Sequence, residues 1–155
     1  MSDRETLPVG ATGKRQPTEP EFPGESVRRF KTACHSAGRA PGMRLLEIAD
    51  PSTFASFGTA RLALHGVELT ALGHIALPWV AFAPSEKDVR MYPVFAPPPA
   101  WATHFAASGL RVLSLSFLGK PVSQFDLSEL RLVETVLIDL NKPETVGDLL
   151  FNYWD

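Results

Sequence analysis

The spacing of hydrophobic positions along this chain alternates between a two-residue and a three-to-four-residue period, and each stretch predicts an element. Over 44–49 (RLLEIA) a short apolar run ends at Asp50-Pro51, which reads as a first strand. The runs 59–64 and 67–72 are separated by His65-Gly66, a two-residue hairpin signal. In the second run Val67, Leu69 and Ala71 alternate with Glu68 and Thr70, which places one face in solvent. The run 74–83 (HIALPWVAFA) predicts a more buried strand with Pro78 at a bulge or an edge, and a polar turn over 84–88 follows. Then 89–96 (VRMYPVFA) predicts a return strand, again interrupted by a proline. Short, proline-blunted strands in this order predict an antiparallel meander.

Pro97-Pro98-Pro99 ends the sheet, and the third proline suits the first turn of a helix over 100–108 with Trp101 and Phe105 on one face. Gly109 is its expected stop. The segment 110–118 (LRVLSLSFL) reads as a strand with Leu113, Leu115 and Phe117 toward the core. Asp126-Leu127-Ser128-Glu129 has capping-box spacing, and Leu130, Val133, Val136, Leu137 and Leu140 follow helical spacing. The β-branched Val133, Thr135, Val136 and Ile138 leave a strand over 130–140 as the alternative. Asn141 and Pro143 predict the start of a final helix. Its Val146, Leu149, Leu150, Tyr153 and Trp154 form an apolar stripe, docked on the body or serving as a homodimer seam.

Residues 1–42 carry five prolines and few large aliphatic side chains, the composition of a disordered tail that cannot bury enough apolar area to order itself. Within it, 25–35 (ESVRRFKTACH) predicts a short helix carrying Val27, Phe30 and Cys34 on one side. The organisation expected is therefore a tail, 1–42, and one α+β domain, 43–155. That domain is a short-stranded antiparallel sheet packed against two or three helices.

Composition narrows the classes. Hydrophobic residues make up 45% of the 155, which permits a sizeable core, yet no apolar run approaches the roughly 20 residues of a membrane span. No apolar stretch follows Met1-Ser2-Asp3-Arg4-Glu5, and the one cysteine, Cys34, excludes an internal disulfide framework, so a cytoplasmic setting without membrane contact is expected. Net charge is −2, split between seven basic and five acidic residues in 1–42 and eight basic and twelve acidic in 43–155. That balance gives little long-range attraction to phosphate backbones.

Candidate chemistry is sparse. His35, His65, His74 and His104 share no metal-ligand spacing, and Cys34-His35 are chain neighbours rather than a nucleophile–base pair. Gly10-Ala11-Thr12-Gly13-Lys14 lacks the spacing, the following Ser/Thr and the preceding strand of a phosphate loop. Asp126 with Glu129, and Glu144 with Asp148, sit early in expected helices, where carboxylates complement the dipole. No catalytic, cofactor-binding or metal-binding residue is assigned, and no cofactor is expected. Trp79, Tyr92, Phe95 and Trp101 fall within 23 positions and form either a partner-contact face or the core between sheet and helix. Arg28, Arg29 and Lys31 are the candidate nucleic-acid contacts.

The pieces 60–64, 67–75, Val80-Ala81-Phe82-Ala83-Pro84-Ser85 and 92–97 together resemble the stage V sporulation protein G (septation regulator) family. They match its short strand pair, its apolar strand ending in a Pro-Ser turn, and its strand closing on a proline. The resemblance spans about residues 60–107. It implies a β-rich domain followed by helix and binding of DNA or RNA without a catalytic site; no residue role is carried over from it. The residues themselves predict first a small non-enzymatic regulatory or inhibitory protein acting by protein–protein contact. A nucleic-acid-binding regulator is the second expectation, and a small enzyme with an unrecognised site the third.

Overall fold

The computed structural model describes residues 4–85 and 93–155. In chain order they form β1 (Glu5–Thr6), α1 (Glu25–Gly38), β2 (Met43–Ala49), β3 (Phe57–Leu64), β4 (Val67–His74), β5 (Trp79–Ala83), α2 (Thr103–Ala107), β6 (Arg111–Val112), α3 (Leu115–Leu118), β7 (Phe125–Asp126), α4 (Leu132–Asn141) and α5 (Val146–Leu150). The fold is α+β, with a five-stranded mixed sheet in the order β2-β3-β4-β5-β6. The first four strands are the expected antiparallel meander, and β6 joins parallel to β5. His65 and Gly66 both have positive φ, 49° and 84°, as a tight hairpin between twisted strands requires. The bulge between Leu45 and Glu47 interrupts the edge strand β2.

Both faces of the sheet are covered, and strand alternation decides which side chain meets which layer. Ala60, Leu62, Ala71, Val80 and Phe82 point to one core with Phe30, Ala33, Cys34 and Ala37 of α1 and Phe105 of α2. Leu72, Trp79, Ala81 and Ala83 point the other way, to Leu113, Phe117, Ile138, Leu149, Phe151 and Trp154. Gly73 lets α1 approach the first face: a Cβ there would lie 2.3 Å from the Phe30 ring.

Several expectations are corrected. From Arg4 onward the segment expected to be disordered is part of the fold. Leu7, Ala11 and Thr12 are fully buried, and β1 pairs with β7. The expected helix over 25–35 forms and continues to Gly38. What orders this segment is contact with residues distant in the chain, Glu134 and Asn152 for the 10–14 loop and Gly73 and Phe105 for α1, which composition does not register. The expected strand over 110–118 is only Arg111–Val112. Ser114 then accepts a hydrogen bond from the Phe117 amide and starts α3, leaving Leu115 exposed. The segment 130–140 is helix, but α4 begins at Leu132, and Asp126 instead closes a local turn by accepting from the Ser128 amide. Asn141 ends α4, and the final helix is capped by Thr145, whose hydroxyl accepts from the Asp148 amide. The stripe from Val146 to Trp154 is docked, with Val146, Leu149 and Leu150 fully buried, so it is not available as a homodimer seam. The expected strand over 89–96 lies outside the described residues at 89–92. Of the rest, Ala96 makes a single bridge to Phe82. No helix among the described residues is long and apolar enough to cross a membrane.

Candidate binding face around helix α4

The second layer is held together by polar groups. Residues 10–14 carry two glycines with positive φ, Gly10 and Gly13, and so turn tightly enough to aim the Gly10 and Thr12 amides at one point. That point is the buried Glu134 carboxylate. It accepts from the Gly10 amide at 3.2 Å, the Thr12 amide at 3.1 Å and the Thr12 hydroxyl at 2.8 Å. It also accepts from the Arg131 amide at 3.1 Å, capping the first turn of its own helix. The glycine-bearing loop therefore cradles an anion supplied by the chain itself.

Three more buried side chains extend this network. His74 Nε2 donates to the Ala11 carbonyl at 2.8 Å, while its Nδ1 accepts from the Ala76 and Leu77 amides, both at 3.1 Å. Those partners select the neutral ring, and burial pushes its pKa down to about 4. The Asn152 amide group donates to the Thr12 and Leu149 carbonyls and its oxygen accepts from the Trp154 amide. Ser56 donates to the Leu150 carbonyl at 2.7 Å and accepts from the Asn152 amide at 2.9 Å. Each of these groups is hydrogen-bonded within the protein, and none of them lines the cleft beside α4.

What the network positions is the outer surface of α4 and a cleft beside it. Leu132, Val136 and Leu140 recur at i, i+4 and i+8 and are 73%, 46% and 73% exposed. Next to them, Val133, Val136 and Leu137 line a cleft of about 580 Å³ together with Phe54, half exposed, and Trp154. Lys14 lines this cleft, with Nζ donating to the Phe54 carbonyl at 2.6 Å. Burial pushes its amine down to about 8, against the opposing field of Asp155. Glu19 ties the N-terminal strap to the helix by an ion pair with Arg131.

The residues singled out from sequence are dispersed. Trp79 is buried in the second layer, edge-on to Phe117 at 6.0 Å and under the Arg111 guanidinium at 4.8 Å. Phe95 packs in the same layer against Phe151. Trp101 lies on the other face of the sheet against Phe82 and Phe105, and Tyr92 lies outside the described residues. The three described aromatics thus share no exposed face; they belong to the two cores. Of the basic set, Arg29 pairs with Glu25 and Lys31 with Asp50, both at 2.6 Å. Arg28 and Lys31 line a second cleft of about 530 Å³, which Arg15 completes from the N-terminal strap. Cys34 is buried and burial pushes its thiol up to about 12, which suits packing rather than nucleophilic chemistry. Among the described residues no three His, Cys, Asp or Glu side chains converge as metal ligands.

Sequence reasoning assigned Leu132 and Leu140 to no site, and for Leu140 it expected an inward face. The usable signal was the width of the apolar arc: residues 132, 133, 136, 137 and 140 cover more of the helix than one buried stripe needs. No family model, no curated protein and no solved structure matches this chain.

Proposed function

We propose that this protein is a small non-enzymatic regulatory or inhibitory protein that works by protein–protein contact, with the outer face of α4 as its contact surface. The observation that carries this reading is the exposed Leu132–Val136–Leu140 stripe on a helix whose other side is fixed by buried hydrogen bonds. Isolated exposed aliphatics are ordinary, whereas three in register along one helix face form an apolar stripe of the kind partners cover. The rigid support lowers the entropy lost on association.

The decisive experiment replaces both ends of the stripe, Leu132→Glu and Leu140→Glu, and compares tagged wild type and variant in capture from native lysate. The expected outcome is a partner retained by wild type and lost by the variant at unchanged thermal stability. Capture of the protein alone, or of the same partners by both forms, would sink the reading.

A second reading, a DNA- or RNA-binding regulator in line with the resemblance noted above, is supported by Arg15, Arg28 and Lys31 meeting at one cleft. It expects labelled nucleic acid to be shifted at low salt, and the triple change Arg15→Ala, Arg28→Ala, Lys31→Ala to abolish the shift. No shift by wild type at low salt would end it.

A further inference from the structure

We propose that the cleft between α4 and the Phe54 loop binds a small amphipathic carboxylate of the medium-chain fatty acid type, its carboxylate on Lys14 and its chain against Val133, Val136, Leu137 and Trp154. This inference does not depend on the α4 stripe acting as a protein contact.

The cleft's volume, about 580 Å³, falls within the roughly 300–1,000 Å³ usual for small-molecule sites. Its lining is also of the usual kind, apolar walls with few polar groups. Phe22 and Ile75 add to its apolar lining, and the charged side chains on the lining are Lys14, Arg15 and Asp155. Arg15 is already engaged by Glu21 and by the Glu19 carbonyl. Lys14 has the Phe54 carbonyl and the field of exposed Asp155, and its amine still titrates well below an ordinary lysine. A half-buried cation with so little compensation is complemented by an anion that brings its own apolar surface. A hydrated inorganic anion would leave the walls uncovered, and an alcohol would leave the charge unmatched.

The same geometry fixes the sign of a proton linkage. A carboxylate beside Lys14 favours the ammonium form and raises its pKa, so binding takes up protons near pH 8, where the free amine is about half protonated. The other titratable groups facing Lys14 are Asp155 and the buried His74, whose ring is already neutral at that pH.

Calorimetric titration of the full chain with decanoate below its micellar concentration, at pH 8 in two buffers of different protonation enthalpy, tests the proposal, with decanol as the uncharged control. Expected are decanoate binding at least about tenfold tighter than decanol, and uptake of up to about half a proton. Lys14→Met should equalise the two ligands, Lys14→Arg should keep the preference for decanoate and remove the proton uptake, and Val136→Trp should exclude both. No heat from decanoate at millimolar concentration overturns the proposal. So does equal affinity for decanoate and decanol in wild type, or a preference for decanoate that survives Lys14→Met.

Discussion

The two layers covering the sheet are built from different materials. The α1–α2 layer meets the sheet through Phe30, Ala33, Cys34, Phe105 and their partners, with Phe30 and Phe105 tilted at 6.1 Å and Phe82 edge-on to Phe105 at 5.5 Å. The opposite layer, made of the N-terminal loop, α3, α4, α5 and the C-terminal strand of chain, has an apolar core too. It also contains Thr12, Ser56, His74, Glu134 and Asn152, all at most 1% exposed and joined by hydrogen bonds. Apolar packing tolerates substitutions that keep volume, because it is not directional. A buried polar network does not, because each member leaves others unpaired when removed. The layer that carries the candidate surface is therefore the one whose geometry is specified most tightly.

The largest effect should come from Glu134. Replacement by alanine leaves the Gly10 and Thr12 amides and the Thr12 hydroxyl without their acceptor, and should cost about 3–5 kcal/mol. Urea unfolding measures it, and a loss below about 1 kcal/mol would show that water replaces the carboxylate and that the layer is not rigid.

His74 sharpens the contrast through pH. Its folded-state pKa lies near 4, below the ordinary 6.5, so the unfolded chain binds the proton first. Stability from the neutral ring is fully present above pH 6.5 and is lost as pH falls toward 4, amounting to roughly 3 kcal/mol. The difference between wild type and His74→Gln, measured from pH 7 to 4, should narrow across that window; a constant difference would refute the assignment.

A matched pair of near-isosteric swaps compares the layers directly. Asn152→Leu removes donors to Thr12 and Leu149 and an acceptor for Trp154, and should cost about 2–3 kcal/mol. Leu62→Met in the apolar layer should cost less than about 1.5 kcal/mol. Equal losses in thermal unfolding would remove the distinction. The smallest effect belongs to Leu132→Glu with Leu140→Glu, expected within about 0.5 kcal/mol because both side chains are exposed.

The meander, the His65-Gly66 turn and the helix after Pro99 were legible in the chain because each rests on neighbours within a few residues. Gly109 stopped α2 with φ of 87° as its type suggests, but the alternation over 67–72, which reads as one core face and one solvated face, is overturned: Ala71 enters one core and Leu72, fully buried, the other. The 110–118 segment misled because its alternation was real but Ser114 could also cap a helix, and only the bond it makes distinguishes the two.

By itself, then, the sequence determined the hairpin strands and most helices, since period and turn chemistry act over a few bonds. It did not determine that both faces of the sheet are covered, with Thr70 and Leu72 fully buried where a solvated face was expected. Tertiary structure alone decided that residues 4–42 join the fold, that the Gly10–Lys14 loop encloses Glu134, and that Leu132 and Leu140 face outward. Those outcomes depend on groups from about 40 to some 120 positions apart meeting in space. A buried carboxylate is indistinguishable from a solvated one until the amides that solvate it are in place.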